Sequence, residues 1–408
     1  MKEKLFAFID KSRSAAAELE TELTKRPAVS PDSGGHGELD KCEFLEGWLK
    51  NHGITNLERH DAPDARAKGG IRPNLVATIP GKNDTNRLWI MSHLDVVPPG
   101  EQSLWNSDPW TVVEKDGKLI GRGVEDNQQG LTSSVLAALS LVSQGIVPNN
   151  TVKLLFVADE EMGSAYGIGW LMENRDLFRK DDMVLIPDGG DPKGESIEIA
   201  EKNLIWITFN TKGKQAHGSR PDLGANACLA GAELAVRLHT ELNEKFSARN
   251  PLFDPEYSTF EPTRKEGNVP NINTIPGDDV FSMDMRILPQ YPVKTVLAEI
   301  DRIKGEVEKK HGVSVSYALP QTMESKPTSE DTPLVKILSR VVQEVYGVKT
   351  KPIGIGGGTV GAYLRNADIP SVVWSRMDDT AHSPNEYCLV DNIIGDAKVM
   401  ALLMAEER

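Results

Sequence analysis

Asp159, Glu160 and Glu161 follow the apolar run Leu154-Leu155-Phe156-Val157-Ala158. A buried strand that runs straight into acids sets adjacent carboxylates at the carboxyl edge of a sheet, where open α/β folds bind their ligands. Neighbouring side chains there point different ways, so one of Glu160 and Glu161 can hold a cation while the other stays free as a base. Taken alone, the acids equally suit the N-terminus of a following helix. Two further apolar runs end in a similar way: Arg87-Leu88-Trp89-Ile90-Met91 leads into Ser92-His93-Leu94-Asp95, and Met183-Val184-Leu185-Ile186-Pro187 leads into Asp188. An imidazole with an Asp two residues on suits a metal ligand steadied through its other ring nitrogen. Gly121-Arg122-Gly123-Val124-Glu125-Asp126-Asn127 brings a glycine-dense backbone up to an acid, so Asp126 is expected to face a bound group and Glu125 to face away. Thr380-Ala381-His382-Ser383-Pro384-Asn385-Glu386 supplies a second imidazole from the far end of the chain. Two histidines and three carboxylates, with Asp126 shared, make two three-donor metal sites that leave positions open for water and substrate. This donor mixture favours zinc, with cobalt or manganese as alternatives.

The elements that must present these residues follow from local pattern. Apolar periodicity predicts helices over 4–25, 39–51, 128–144, 225–243 and 293–310, and strands over 74–79, 87–91, 151–158, 183–187, 204–210, 280–286 and 313–317. A hairpin turned by Asp116-Gly117 joins two short strands between Thr111 and Ile120. His36 sits in a Gly-rich loop and reads as solvated; His52, His60, His239 and His311 lack a metal-ligand context. With 408 residues the chain exceeds one ordinary core. The expected fold is α/β: a mixed, mainly parallel sheet flanked by helices, formed by 1–203 and 321–408, with an inserted α+β domain over 204–320.

Composition sets the class. A net charge of −14 argues against nucleic-acid and anionic-membrane partners, and fits a carboxylate site that a metal partly neutralises. The start Met1-Lys2-Glu3-Lys4-Leu5 lacks the apolar core of a signal peptide, and no long apolar run follows, so a cytoplasmic location is expected. The 3 cysteines, Cys42, Cys228 and Cys388, are widely separated and read as reduced and structural.

The pieces Ser92-His93-Leu94-Asp95, Gly121-Arg122-Gly123 to Asp126, Asp159-Glu160-Glu161, Asp188 and Ala381-His382-Ser383-Pro384-Asn385-Glu386 jointly resemble the co-catalytic zinc peptidase and deacylase family. Acetylornithine deacetylase, succinyl-diaminopimelate desuccinylase, aminoacylase, glutamate carboxypeptidase and carnosine dipeptidase belong to it. The match keeps the family's order over nearly the whole chain. The resemblance implies that His93 and Asp188 hold one ion, Glu161 and His382 the other, and Asp126 bridges them. It implies that Asp95 orients His93, that Glu160 is the general acid/base, and that the Asp126-Asn127 peptide is cis. It also implies that the insert is a ferredoxin-like lid that forms a homodimer, with His217 in Gly213-Lys214-Gln215-Ala216-His217-Gly218 steadying the oxyanion or substrate, often from the partner subunit. Asn273 and Arg286 match family positions that contact substrate, and a guanidinium there suits a carboxylate.

Some positions depart from the family pattern. Gln128 stands where relatives often carry a lysine, so a nearby charge is missing. The Gly356-Gly357-Gly358-Thr359-Val360-Gly361 loop resembles the family's substrate-side glycine segment, with Gly358 and Thr359 as contacts, but lacks the acid often found there. Before His382 the chain reads Trp374-Ser375-Arg376-Met377-Asp378-Asp379, where Arg376 offers a cation for an anionic substrate end. The expected activity is cleavage of the amide bond of a small N-acyl amino acid or short peptide bearing a free carboxylate, by a metal-activated bridging water with Glu160. The sequence does not separate deacylase from dipeptidase or carboxypeptidase. A non-catalytic relative that binds a peptide or amino-acid derivative is the alternative, disfavoured because all five ligands and Glu160 are present.

Overall fold

A computed structural model describes residues 1–406. The chain divides into two compact units, the first made of Met1–Ile199, Thr328–Pro352 and Tyr363–Arg408, the second of Ala200–Pro327 and Ile353–Ala362. The second unit takes in the glycine loop 356–361, which sequence pattern places in the 321–408 segment.

In the first unit, strands Leu57–Pro63, Ile71–Ile79, Asn150–Val157, Asn83–His93, Met183–Asp191 and Ser371–Arg376 lie side by side in that order. Ser196–Glu201 and Lys351–Ile355 complete the eight-stranded sheet, and the chain passes between units within these two strands. The four strands from Asn150–Val157 to Ser371–Arg376 pair in parallel, and the strands beyond Asn150–Val157 pair antiparallel. Parallel strands are covered on both faces, which is why their sequences are continuous apolar runs rather than alternating ones; Trp89, Ile90, Leu154, Phe156, Val184 and Leu185 are all buried.

Helix Gly130–Ser143 is buried over almost its whole length and packs against Val390–Met404. An all-round apolar helix belongs in a core, and its serines satisfy their hydroxyls locally: Ser133 Oγ donates to Gln129 O and Ser134 Oγ to Leu131 O, each at 2.7 Å. The single helix expected over 4–25 is two, Lys2–Lys11 and Arg13–Thr24. Ser12 interrupts it by donating its hydroxyl to Phe8 O at 2.9 Å, a local bond that competes with helix geometry.

The second unit holds a four-stranded antiparallel sheet in the order Thr259–Lys265, Asp278–Ile287, Asn203–Lys212, Ser314–Met323, with helices Ala227–Lys245 and Val293–His311. This βαββαβ order is ferredoxin-like. Its core joins the inward faces of the sheet and both helices, with Phe209 stacked on Phe281 at 4.9 Å. Strand Thr259–Lys265 was not expected. It carries Pro262 and a register shift, both tolerated because the strand is an edge. No helix among the described residues is long and apolar enough to cross a membrane. The three cysteines are free, Cys42 and Cys388 buried.

Candidate metal centre

Strand Asn83–His93 ends at His93, and strand Asn150–Val157 runs through Ala158 into a turn where Asp159 adopts φ 63° and Glu160–Met162 form one 3-10 turn. The turn carries Glu161, whose Oε2 lies 3.0 Å from His382 Nε2. Asp188 lies within strand Met183–Asp191. Asp126 precedes the cis peptide Asp126-Asn127, as the resemblance implied.

These residues meet in two adjoining groups, His93 with Asp126 and Asp188, and Asp126 with Glu161 and His382. The two oxygens of Asp126 divide between them. Oδ1 is 2.8 Å from His93 Nε2, which is 3.6 Å from Asp188 Oδ1. Oδ2 is 3.1 Å from His382 Nε2, which is 3.0 Å from Glu161 Oε2. His93 Nδ1 lies 3.0 Å from Asp95 O and 3.5 Å from Asp95 Oδ1. With its proton directed to that carbonyl, His93 keeps the Nε2 lone pair for a metal. The Asp95 carboxylate accepts from the Glu160 and Glu161 amides, both at 3.0 Å, so it fixes the turn of the two acids as well as standing beside the imidazole.

The charges around the cluster call for a cation. Burial pushes Glu160 well above the usual carboxyl range and raises Glu161 and Asp188, with neighbouring acids adding to the effect. Burial opposes charge on His93, but Asp188 and Asp126 outweigh it and hold the ring well above the ordinary histidine value. Hydrogen bonds donated by its ring to the Asp126 and Glu161 carboxylates raise His382 to about 10. Glu161 Oε1 is buried without a hydrogen-bond partner, a costly state that a bound cation relieves. Imidazole and carboxylate donors in two groups of three fit two divalent ions.

Some supporting residues carried no signal in the sequence. Asn127 Nδ2 donates to Asp188 Oδ1 at 2.7 Å and to Pro187 O at 2.6 Å, and Asn127 Oδ1 accepts from His93 N at 3.2 Å. The cation missing at position 128 comes from helix Leu39–Asn51: buried Lys41 Nζ donates to Gln128 Oε1 at 3.1 Å, and Gln128 Nε2 donates onward to Glu20 Oε2 and Thr24 Oγ1.

The remaining candidates have local partners. Arg376 donates through Nε to Pro192 O at 2.8 Å, and its guanidinium lies 5.0 Å from the Tyr346 ring. In the second unit, exposed His217 pairs across a two-residue ladder with Thr274, next to Asn273, whose carbonyl accepts from Gly218 N. His217 Nδ1 accepts from Ser219 N at 3.2 Å, which leaves its proton on Nε2 in the neutral ring. Arg286 forks onto Asp284 and reaches Gly356 O at 2.9 Å. Thr359 donates to Glu201 at 2.5 Å, and a Cβ at Gly358 would stand 2.0 Å from Met323 Cε. His36 is exposed, and His239 and His311 bond to Phe260 O and Glu233.

A mixed, mainly parallel sheet whose strand ends gather imidazoles and carboxylates into adjoining donor groups defines a metal-dependent hydrolase. Residues 89–406 match peptidase family M20/M25/M40, and the chain belongs to that family. It is 40% identical over 402 residues to an uncharacterized metallohydrolase of Methanococcus maripaludis, covering 94% of this chain and 96% of the relative. It is 27% identical over 374 residues to a succinyl-diaminopimelate desuccinylase of Cereibacter sphaeroides, covering 90% and 92%. The dipeptidase Dug1p of Saccharomyces cerevisiae shares the fold, with a TM-score of 0.74 at 16% identity over 99% of this chain and 98% of that one.

Proposed function

We propose that this chain hydrolyses the amide bond of a small N-acyl amino acid or short peptide with a free carboxylate, using two divalent ions, zinc before cobalt or manganese. In this reading His93 and Asp188 hold one ion, Glu161 and His382 the other, and Asp126 both. The observation that carries it is the division of Asp126, one oxygen toward each donor group. When bound, such a pair of ions supplies Lewis acidity and lowers the pKa of a water between them. Glu160 takes a proton from the attacking water and returns it to the leaving amine. His217, with Nε2–H as donor, steadies the oxyanion. Asn273, Arg286, Gly358, Thr359 and Arg376 are assigned to substrate contacts. The second unit is assigned as the lid and homodimer contact, on the strength of the family resemblance. Desuccinylases among the relatives support an N-acyl amino acid as substrate. The free cysteines fit a reducing, cytoplasmic setting.

The test is hydrolysis of a panel by protein stripped of metal and reloaded with zinc, cobalt or manganese. The panel holds N-acetyl and N-succinyl amino acids, dipeptides and C-terminally amidated controls. Metal-restored release of amine from the free acids supports the reading and separates deacylase from dipeptidase. Two bound ions with no cleavage of any compound would favour a binding protein instead.

A further inference from the structure

The two loops that carry Asp126 and His382 lie more than 250 residues apart in sequence, and each is held by a buried carboxylate from the other. Glu386, in the His382 loop, is fully buried and uses both oxygens on the Asp126 loop. Its Oε2 accepts from Arg122 Nη1 at 2.6 Å and Gly123 N at 3.0 Å, and its Oε1 from Glu125 N at 2.9 Å and Asp126 N at 3.1 Å. Glu125, beside Asp126 and 1% exposed, reaches the opposite way. Its Oε1 accepts from Asp378 N at 2.7 Å, and its Oε2 accepts from the Thr380 amide and from Thr380 Oγ1 at 2.7 Å. The His382 loop needs such support, because Asp379, His382 and Asn385 all adopt φ 61°, a region that side-chain-bearing residues enter at a cost. A short ladder, Tyr387–Leu389 on Lys118–Ile120, joins the loops at one end, and Gln129 Nε2 donating to Arg376 O at 2.8 Å joins them at the other, which leaves the stretch between to the two carboxylates.

We propose that Glu125 and Glu386 are positioning residues that form a reciprocal clasp, setting the Asp126 and His382 loops in the register that completes the two metal sites. The assignment rests on the two-ion reading above and adds an asymmetry to it. Glu125 acts on the His382 loop, so its loss weakens the ion held by Glu161 and His382 and spares the one held by His93 and Asp188. Glu386 acts on the backbone of Asp126, which faces both groups, so its loss weakens both ions. Residues that orient metal ligands typically change affinity by about 10- to 100-fold when removed.

The experiment is calorimetric titration of the metal-free full chain with Zn2+, repeated with Co2+ and read by visible absorption. Parent, Glu125→Gln, Glu386→Gln, Thr380→Val, Thr380→Ser and His382→Ala are compared. For Glu125→Gln the expected result is one ion bound as in the parent and the second about 10- to 100-fold weaker. For Glu386→Gln both ions weaken. Thr380→Val removes one hydroxyl donor to Glu125 and is expected to weaken the same single ion to a smaller degree, with Thr380→Ser restoring it. Should Glu125→Gln fail to fold, Thr380→Val decides. Two ions bound with parent affinity in the Glu125 and Glu386 variants, or in Thr380→Val, would overturn the clasp while His382→Ala still loses an ion. A parent that takes up fewer than two ions would overturn the proposed function and the clasp with it.

Discussion

In the first unit the polar atoms of Asp126, His93, His382 and Glu161 are directed at one another, whereas in the second unit Arg286 lies on Asp284 and His217 on Ser219, each two residues away. The first arrangement draws on four distant stretches of chain and leaves a buried carboxylate oxygen without a partner. The second is built from near neighbours apart from the Arg286 bond to Gly356 O, and stands half-buried or exposed. The unpaired Glu161 oxygen costs about 1–3 kcal/mol and stands among imidazole and carboxylate donors, a combination that a bound cation relieves. Local pairing on an exposed surface carries no such signal, so His217 and Arg286 rest on the resemblance for their roles.

Substitutions can break that contrast. Glu160→Gln is expected to keep both ions and lose about 10²- to 10⁴-fold in kcat, measured beside metal content on the substrate the panel identifies; parent-like turnover removes Glu160 from the chemistry. His217→Ala should lose about 10²- to 10³-fold in kcat with metal content unchanged. A fully active, monomeric His217→Ala protein would show that the second unit contributes neither oxyanion donor nor dimer contact. Arg286→Ala should raise KM about tenfold for substrates with a free carboxylate and leave amidated analogues unaffected. An equal effect on both would assign Arg286 to its bonds with Asp284 and Gly356 alone.

A further prediction concerns stability. Glu20 is buried and, through that burial, raised to about 8 despite a hydrogen bond from Gln128 Nε2. An acid with a raised folded pKa binds more protons when folded than when unfolded. Its contribution is therefore fully present below the unfolded value near 4.5 and is lost as pH rises toward about 8. Chemical denaturation of parent and Glu20→Gln between pH 5 and 8 should show the parent losing on the order of a few kcal/mol more than the variant across that window. Parallel profiles would mean that Glu20 shares its proton differently with Lys41, which burial lowers to about 8.

What could be read from the sequence follows the same contrast. Apolar runs that stop at His93, at Asp159-Glu160-Glu161 and at Asp188 are legible through their recurrence: one acidic strand end equally suits a following helix, whereas three runs ending in metal-type donors point to one site. The α+β insert is legible from alternation over 280–286 and 313–317, its ferredoxin-like form only through the family resemblance, and Thr259–Lys265 not at all, because proline and charge mask an edge strand. Lys41, Glu125 and Glu386 stayed hidden, because burial of a charged residue shows only once its distant partners are in place. Lys41 sits on a helix whose other residues look ordinary, and nothing in the local pattern pairs it with Gln128.

Anomalous diffraction from crystals of the zinc-loaded protein tests the central claim most directly. The expected result is two peaks per chain, one beside each oxygen of Asp126, the first within reach of His93 and Asp188 and the second within reach of Glu161 and His382. A single peak, or two peaks away from Asp126, would contradict it.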